Sequence, residues 1–351
     1  MTEKIIGRQK EIKQLQKCMD ANQAQLIIVY GRRRVGKTFL INNFFNGRFD
    51  FKVAGSYAQT KEVQLKNFIT ELNLQSKQKL KVPENWTDAF FCLREYLDTL
   101  PKTEKHVIFF DEMPWFDTPR SDFLPAFEYF WNNWGSAQDN LVCLVCGSAT
   151  AWLVDNIARN KGGLYNRQSC KLYLEPFTLN ETEQYLKVNG FEWSRYQIVE
   201  NYMIMGGIPY YLSLLDNSIS LEANIDNMFF KKRALLWDEF EHLYATLFNN
   251  SEQYLKVVEA LSSKKIGLTR KEISQITKLP PNGSLTKILE NLVNSEFVRA
   301  YLFFGIKKQD TLYQLSDYFT LFYYKFLKNN SGKDERFWSN SIDNPSVISW
   351  E

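Results

Sequence analysis

The chain has 351 residues, 44% of them apolar and 24% charged, the balance of an ordinary globular protein rather than a disordered or membrane-embedded one. That length exceeds what one hydrophobic core supports and suits two or three domains. A net charge of +3 is too small to imply a nucleic-acid or membrane partner by itself, and five cysteines without framework spacing fit a reducing compartment.

Residues Glu3 to Met19 read as a lead-in, Ile5-Ile6-Gly7-Arg8, followed by an amphipathic helix. Leu26-Ile27-Ile28-Val29-Tyr30 is a short apolar, β-branched run, the pattern of a strand buried on both faces of a parallel sheet. Directly after it comes Gly31-Arg32-Arg33-Arg34-Val35-Gly36-Lys37-Thr38, which fits G-x-x-x-x-G-K-[ST] at every fixed position. Phe39 to Phe45 can continue as a helix. Strand, glycine loop and helix together make a phosphate-binding loop. Its glycines let consecutive backbone N–H groups face phosphate oxygens, and the helix adds the positive end of its dipole. Lys37 is expected to reach the β- and γ-phosphates and Thr38 to ligate Mg²⁺. The expected binding set runs Gly31, Arg32, Arg33, Arg34, Val35, Gly36, Lys37, Thr38 and Phe39. Three arginines are unusual in a loop already built for anions. Two readings stay open for them: a solvated basic tip, or contact with nucleotide or a neighbouring element.

The lead-in, helix, strand and Gly-Arg-Arg-Arg-Val-Gly-Lys-Thr loop resemble the AAA+-type ATPases common in archaea and Bacteroides-like bacteria. These are close to the signal-transduction ATPases with numerous domains. The resemblance implies an α/β fold, with a three-layer P-loop core around a parallel sheet, a helical lid and a C-terminal winged helix-turn-helix. It also implies that Ile5, Ile6 and Gly7 lie on the adenine side of bound ATP or ADP. The chain's resemblance extends over about residues 3 to 330 and is most specific at the nucleotide motifs.

Further along, Phe49 to Gly55 reads as a strand, and Lys61 to Leu74 and Trp86 to Leu100 as helices. Val107-Ile108-Phe109-Phe110-Asp111-Glu112 is a buried strand delivering two carboxylates. Asp111 would hold Mg²⁺ and Glu112 would orient or deprotonate the attacking water. Ser121 to Trp134 reads as a helix and Leu141 to Cys146 as another buried strand. Its Cys143 and Cys146 point to opposite faces and belong to the core. Ser148, just past that strand, is either a γ-phosphate sensor, as the resemblance implies, or a helix N-cap. Arg167, before the strand Lys171 to Leu174, is the arginine-finger candidate by resemblance, with a plain surface arginine as its alternative.

Pro176 closes the core, giving residues 1–177, and Asn180 is expected to cap the next helix. Residues 178–248 read as the helical lid. By resemblance, Gly207 and Pro209 carry its nucleotide-facing turn; a bare turn between helices explains them equally. Residues 249–316 carry three helices, with a capping box at Thr269 to Glu272, and two strands, the order of a winged helix. Between Ser251 and Ser316 stand ten Lys/Arg and six Asp/Glu. The outward face of the third helix offers Ser284, Lys287, Glu290, Asn291 and Asn294, a poor set for a phosphate-rich groove. Duplex DNA contact and an unknown protein client therefore both stand as partners, and a homo-oligomer is expected from the resemblance. Residues 317–351 form an aromatic helix that must bury itself, then a polar linker from Asn329 to Trp338. The resembling proteins often continue into a restriction-endonuclease-like domain. No paired-acid-plus-lysine constellation follows residue 317, so nuclease activity is not claimed. With no membrane-length apolar run and no signal peptide at Met1-Thr2-Glu3-Lys4, the expected location is the cytoplasm.

Overall fold

The structure, a computed structural model, describes residues 5–148, 150–158, 163–164, 167–248, 250–302, 310–328, 334–341 and 350. The chain divides into two compact units. One comprises Met1–Gly31 with Gly36–Glu175; the other comprises Arg32–Val35 with Pro176–Glu351.

The first unit is built on five strands: β1 (Gln25–Tyr30), β2 (Phe51–Ala54), β3 (His106–Asp111), β4 (Leu141–Gly147) and β5 (Cys170–Tyr173). They lie in the order β2-β3-β4-β1-β5, and every neighbouring pair is parallel. Residues 106–111 and 141–147 are buried throughout, as expected of strands covered on both faces. Cys143 and Cys146 are both fully buried core residues, as their strand positions require.

Helix Gln9–Asp20 precedes β1, and helices Lys37–Phe44, Lys61–Ser76, Trp86–Asp98 and Phe123–Asn133 lie in the connections between strands. Two start at side-chain caps: Thr60 accepts from Val63 N and Asn85 from Asp88 N, each satisfying an N–H that the first turn leaves unpaired. The high aromatic content has a place here. Phe51, Phe68, Trp86, Phe90, Phe110, Phe123 and Phe127 fill one side of the sheet. The Phe90 ring packs 5.2 Å from that of Phe130, a spacing that adds specific ring geometry to simple burial. At the sheet edge, Gln75 replaces a missing strand. Its side chain accepts from Lys52 N at 2.7 Å and donates to Lys52 O at 2.8 Å, which blocks edge-to-edge pairing there.

The second unit begins with helices Leu179–Val188, Arg195–Met205, Pro209–Leu212, Leu221–Ile225 and Glu239–Leu247. Its first helix is capped by Thr178 rather than Asn180. Thr178 and Glu181 form a reciprocal capping box, and Asn180 lies inside the helix. Helices Ser251–Ser262, Arg270–Thr277 and Gly283–Asn294 follow, with β6 (Leu268–Thr269) between the first two and β7 (Val298–Tyr301) and β8 (Leu312–Leu315) after the last. These strands form an antiparallel sheet in the order β6-β8-β7. The expected order of three helices and a strand pair is present, as is the capping box at Thr269.

The aromatic helix beyond residue 317 buries Phe319, Phe322, Phe326 and Leu327. One expectation is corrected here. Trp338 belongs to no polar linker: it is 2% exposed. Its indole N–H donates to Glu200 Oε1 at 3.2 Å and its backbone N–H to Asp226 Oδ1 at 2.8 Å. A tryptophan near polar residues reads as linker, but its apolar area and single N–H favour a buried site with an acceptor.

Candidate nucleotide-binding site

Parallel alignment brings three strand ends to one edge of the sheet. Tyr30 of β1 is level with Gly147 of β4, and Phe110 of β3 with Val145. Asp111 ends β3, and Gly31, Glu112 and Ser148 lie just beyond carboxyl ends, where open α/β sheets take their ligands.

The loop's backbone explains its glycines. Gly31 has φ 146°, and a Cβ there would stand 2.3 Å from Leu174 O. No side chain fits, because Leu174 N–H donates to Tyr30 O and draws that backbone close. Gly36 precedes helix Lys37–Phe44 at φ 88°. Lys37 is buried, and its ammonium donates to Gly31 O at 3.0 Å, closing the loop on itself. Thr38 Oγ1 donates to the Asp111 carboxylate, 2.9 Å from Oδ2 and 3.1 Å from Oδ1. Asp111 also accepts from Glu112 N at 3.0 Å. Burial pushes the Asp111 carboxyl above its ordinary range; the Thr38 hydrogen bond opposes this and the neighbouring Glu112 adds to it. Glu112 sits at φ 44°, and its carboxylate accepts from both the hydroxyl and the backbone N–H of Ser148.

These contacts test the fit of a divalent cation. Thr38 and Asp111 place a hydroxyl and a desolvated carboxylate in contact, and Asp111 forms no ion pair among the described residues. No group of three or more acidic, histidine or cysteine side chains that could cage a metal occurs among the described residues. A hard cation that keeps several waters and leans on phosphate oxygens suits this donor set.

In the second unit, the tip of the loop overturns the solvated reading for Arg32. Arg32 is 4% exposed and forms a buried ion pair with Asp317, with its guanidinium 4.5 Å from the Phe297 ring centroid. Arg33 donates to Thr246 Oγ1. Arg34 pairs with Glu239 at 2.5 Å and lies 4.1 Å from the Tyr210 ring centroid. Val35 is buried, whereas Phe39, in the helix after the loop, is 40% exposed. The Gly207-Ile208-Pro209 turn is beside this tip: Tyr210 N–H faces Arg34 O at 3.4 Å. Gly207 is demanded by close packing, since a Cβ would fall 1.8 Å from Phe177 O. Pro209 opens helix Pro209–Leu212, where its missing N–H costs nothing.

Ile5, Ile6 and Gly7 are half-buried, ahead of helix Gln9–Asp20. The next residue was missing from the expected site. Arg8 is 6% exposed and donates from Nη1 to Glu175 O at 2.8 Å, tying the lead-in to the chain just past β5. Its place between the apolar lead-in and the helix is the signal that could have found it. Arg167 is brought nowhere near the loop. Ser169 N–H donates to Leu26 O at the start of β1, so exposed Arg167 lies at the opposite end of the sheet. Its neighbours Tyr165 and Asn166 fall outside the described residues.

A glycine-flanked loop that opens a helix, with a threonine bonded to an aspartate at the end of β3, one strand removed from β1, defines a P-loop nucleotide-binding protein. Residues 5–215 match the family described as an ATPase domain predominantly from Archaea. The chain belongs to that family and is an ATP-binding ATPase. An uncharacterized protein of Methanocaldococcus jannaschii is 24% identical over 329 residues, 93% of this chain and 69% of its own length. An uncharacterized ATP-binding protein of the same organism is 46% identical over 44 residues, 12% of this chain and 75% of its own length. Among solved structures, a Walker-type ATPase of Pyrococcus abyssi shares the fold with TM-score 0.63 and 19% identity, covering 90% of this chain and 95% of that one. The ORC2 protein of Aeropyrum pernix, solved as ADPNP–ADP complexes, gives TM-score 0.55 and 13% identity, covering 99% and 95%. No helix among the described residues is long and apolar enough to cross a membrane.

Proposed function

We propose that this ATPase is a Mg²⁺-dependent nucleotide switch with slow turnover. The observation that carries the reading is the Thr38–Asp111 contact beside the Glu112–Ser148 contact. It joins the phosphate loop to an acid pair at one strand edge. Lys37 neutralises the β- and γ-phosphates, and the loop N–H groups hold their oxygens. Thr38 and Asp111 hold Mg²⁺, which when bound offsets charge on the phosphates. Glu112 takes the proton of the attacking water, and Ser148 sets where that carboxylate points. Arg167 serves a neighbouring subunit in a homo-oligomer, while Ile5, Ile6, Gly7, Gly207 and Pro209 border the nucleotide. Hydrolysis measured with Mg²⁺ and with excess chelator tests the metal: equal rates sink it.

The output of the switch is duplex DNA contact through a winged helix formed by residues 249–316. Lys265, Lys271 and Lys287 are exposed there for phosphate contacts. A second reading, a protein-binding module in the cytoplasm, is favoured by a specific observation. Asn291 donates to Tyr254 OH at 2.7 Å, Lys264 pairs with Glu272, and Arg270 braces Pro281 O and Asn282 O. Those groups are occupied within the unit; Lys307 and Lys308 lie outside the described residues. Titrating duplex DNA at low salt, with and without ATP, decides: salt-sensitive binding supports the first reading, and none at low salt supports the second.

A further inference from the structure

Between Gly31 and Gly36 the sequence places three cations in a loop whose backbone already favours anions. Two carboxylates far along the chain engage two of them. Asp317 is buried, pairs with Arg32, and caps helix Tyr318–Phe322 by accepting from Thr320 N at 2.9 Å and from Thr320 Oγ1. Thr320 in turn meets Tyr244 OH at 3.1 Å. Burial alone would disfavour the Arg32 charge, but the Asp317 carboxylate outweighs it and keeps the guanidinium firmly protonated. Glu239 pairs with Arg34 and accepts from Tyr211 OH at 2.8 Å. The backbone between these anchors is unusual. Arg34 has φ 70°, a left-handed conformation that a non-glycine residue holds only with outside support. Its support is visible: the Glu239 ion pair, the Tyr210 ring and the Tyr210 N–H facing its carbonyl.

We infer that Asp317 and Glu239 are positioning residues for nucleotide binding: through Arg32 and Arg34 they hold the tip of the phosphate loop in the conformation that presents its N–H groups to phosphate. The inference rests on the ATP site proposed above and extends it to two carboxylates outside both nucleotide motifs. A preformed loop orders nothing on binding, so affinity is the quantity these pairs control. Arg32 is thereby a structural cation, not a ligand of the nucleotide.

The test is the double variant Arg32→Met with Asp317→Asn, in the full chain. Asparagine caps a helix as well as aspartate does, and a neutral pair leaves no buried charge unpaired. A merely structural role is then preserved while the ion pair is gone. The expected result is an ATP Kd and KM raised about tenfold, with kcat changed by less than about threefold. Unchanged Kd and KM overturn the inference. Should circular dichroism show the double variant unfolded, Glu239→Gln is read instead. It keeps an acceptor for Tyr211 and is expected to raise KM about threefold; wild-type KM there overturns the inference equally. Lys37→Ala separates the two levels. Loss of binding in Lys37→Ala with normal affinity in the other variants removes only the inference, whereas wild-type affinity in Lys37→Ala removes the site.

Discussion

Ser148 donates both its hydroxyl and its backbone N–H to one carboxylate, that of Glu112, the N–H at 3.1 Å. The two residues come from the ends of neighbouring strands, β3 and β4, and Glu112 holds a left-handed backbone to meet its partner. If Glu112 is the base proposed above, its direction is fixed before substrate arrives. Glu112→Gln keeps the size and hydrogen bonding but accepts no proton. ATP affinity should stay within about threefold of wild type while kcat falls at least about a hundredfold. A wild-type turnover rate would show that another group activates the water. Ser148→Ala should lower kcat about tenfold by freeing the carboxylate, with the same small effect on affinity.

Lys37→Ala removes the loop's buried ammonium and its bond to Gly31 O. Calorimetry with Mg²⁺-ATP should then show affinity lower by at least about a hundredfold, the scale of a lost charge-assisted contact. The far-UV spectrum should be unchanged, because the β1 and β4 pairing does not involve that side chain.

Asp111, proposed above to hold Mg²⁺, also bears on stability. Burial raises its folded-state pKa above the ordinary 3.8. An acid whose pKa is raised on folding binds its proton more tightly in the folded state. The contribution of Asp111 to stability is therefore fully present below 3.8 and is lost as pH rises through the raised value. Asp111→Asn should accordingly raise the melting temperature of the nucleotide-free protein at pH 7 by about 2–4 °C and flatten its rise between pH 7 and pH 4. Mg²⁺-dependent hydrolysis should fall in the same variant. A lower melting temperature would show that the carboxylate is compensated by a group not yet considered.

Much of this was legible because the local signals were strong. The loop glycines, the apolar strands and the capping box at Thr269 each carry their own instruction, and the structure follows them. Asn180 lost its expected cap to Thr178 although each has a glutamate three residues on: Thr178 closes the reciprocal pair with Glu181, whereas Glu183 pairs with Lys187 and Arg195. What spacing could not show is long-range pairing. Asp317 follows Arg32 by 285 residues, and nothing in either neighbourhood marks the partner. Trp338 was hidden for the same reason: its acceptors Glu200 and Asp226 lie more than a hundred residues earlier. Trp338→Ala should therefore destabilise the protein by about 3–5 kcal/mol in denaturant melts; a loss below about 1 kcal/mol would mean the indole packs loosely.

The last prediction concerns Arg167. Ser169 meets Leu26 at the start of β1, and β5 runs parallel to β1 until Tyr173 is level with Tyr30. The phosphate loop starts at Gly31, five residues beyond Leu26, or roughly 16 Å along the sheet. Arg167 precedes Ser169, so it stands at the far end from the phosphates of its own chain. An arginine there serves a γ-phosphate only in a neighbouring subunit, whose site can face that end. Hydrolysis per subunit should then rise with protein concentration as subunits associate. Arg167→Ala and Lys37→Ala should each be inactive alone, yet a mixture should recover part of the activity. In a mixed pair, the Lys37→Ala subunit lends its arginine to the intact loop of the other. If specific activity is independent of concentration and the mixture stays inactive, trans supply is wrong. Should Arg167→Ala hydrolyse ATP normally at every concentration, the residue is a surface arginine and the accelerating cation lies elsewhere.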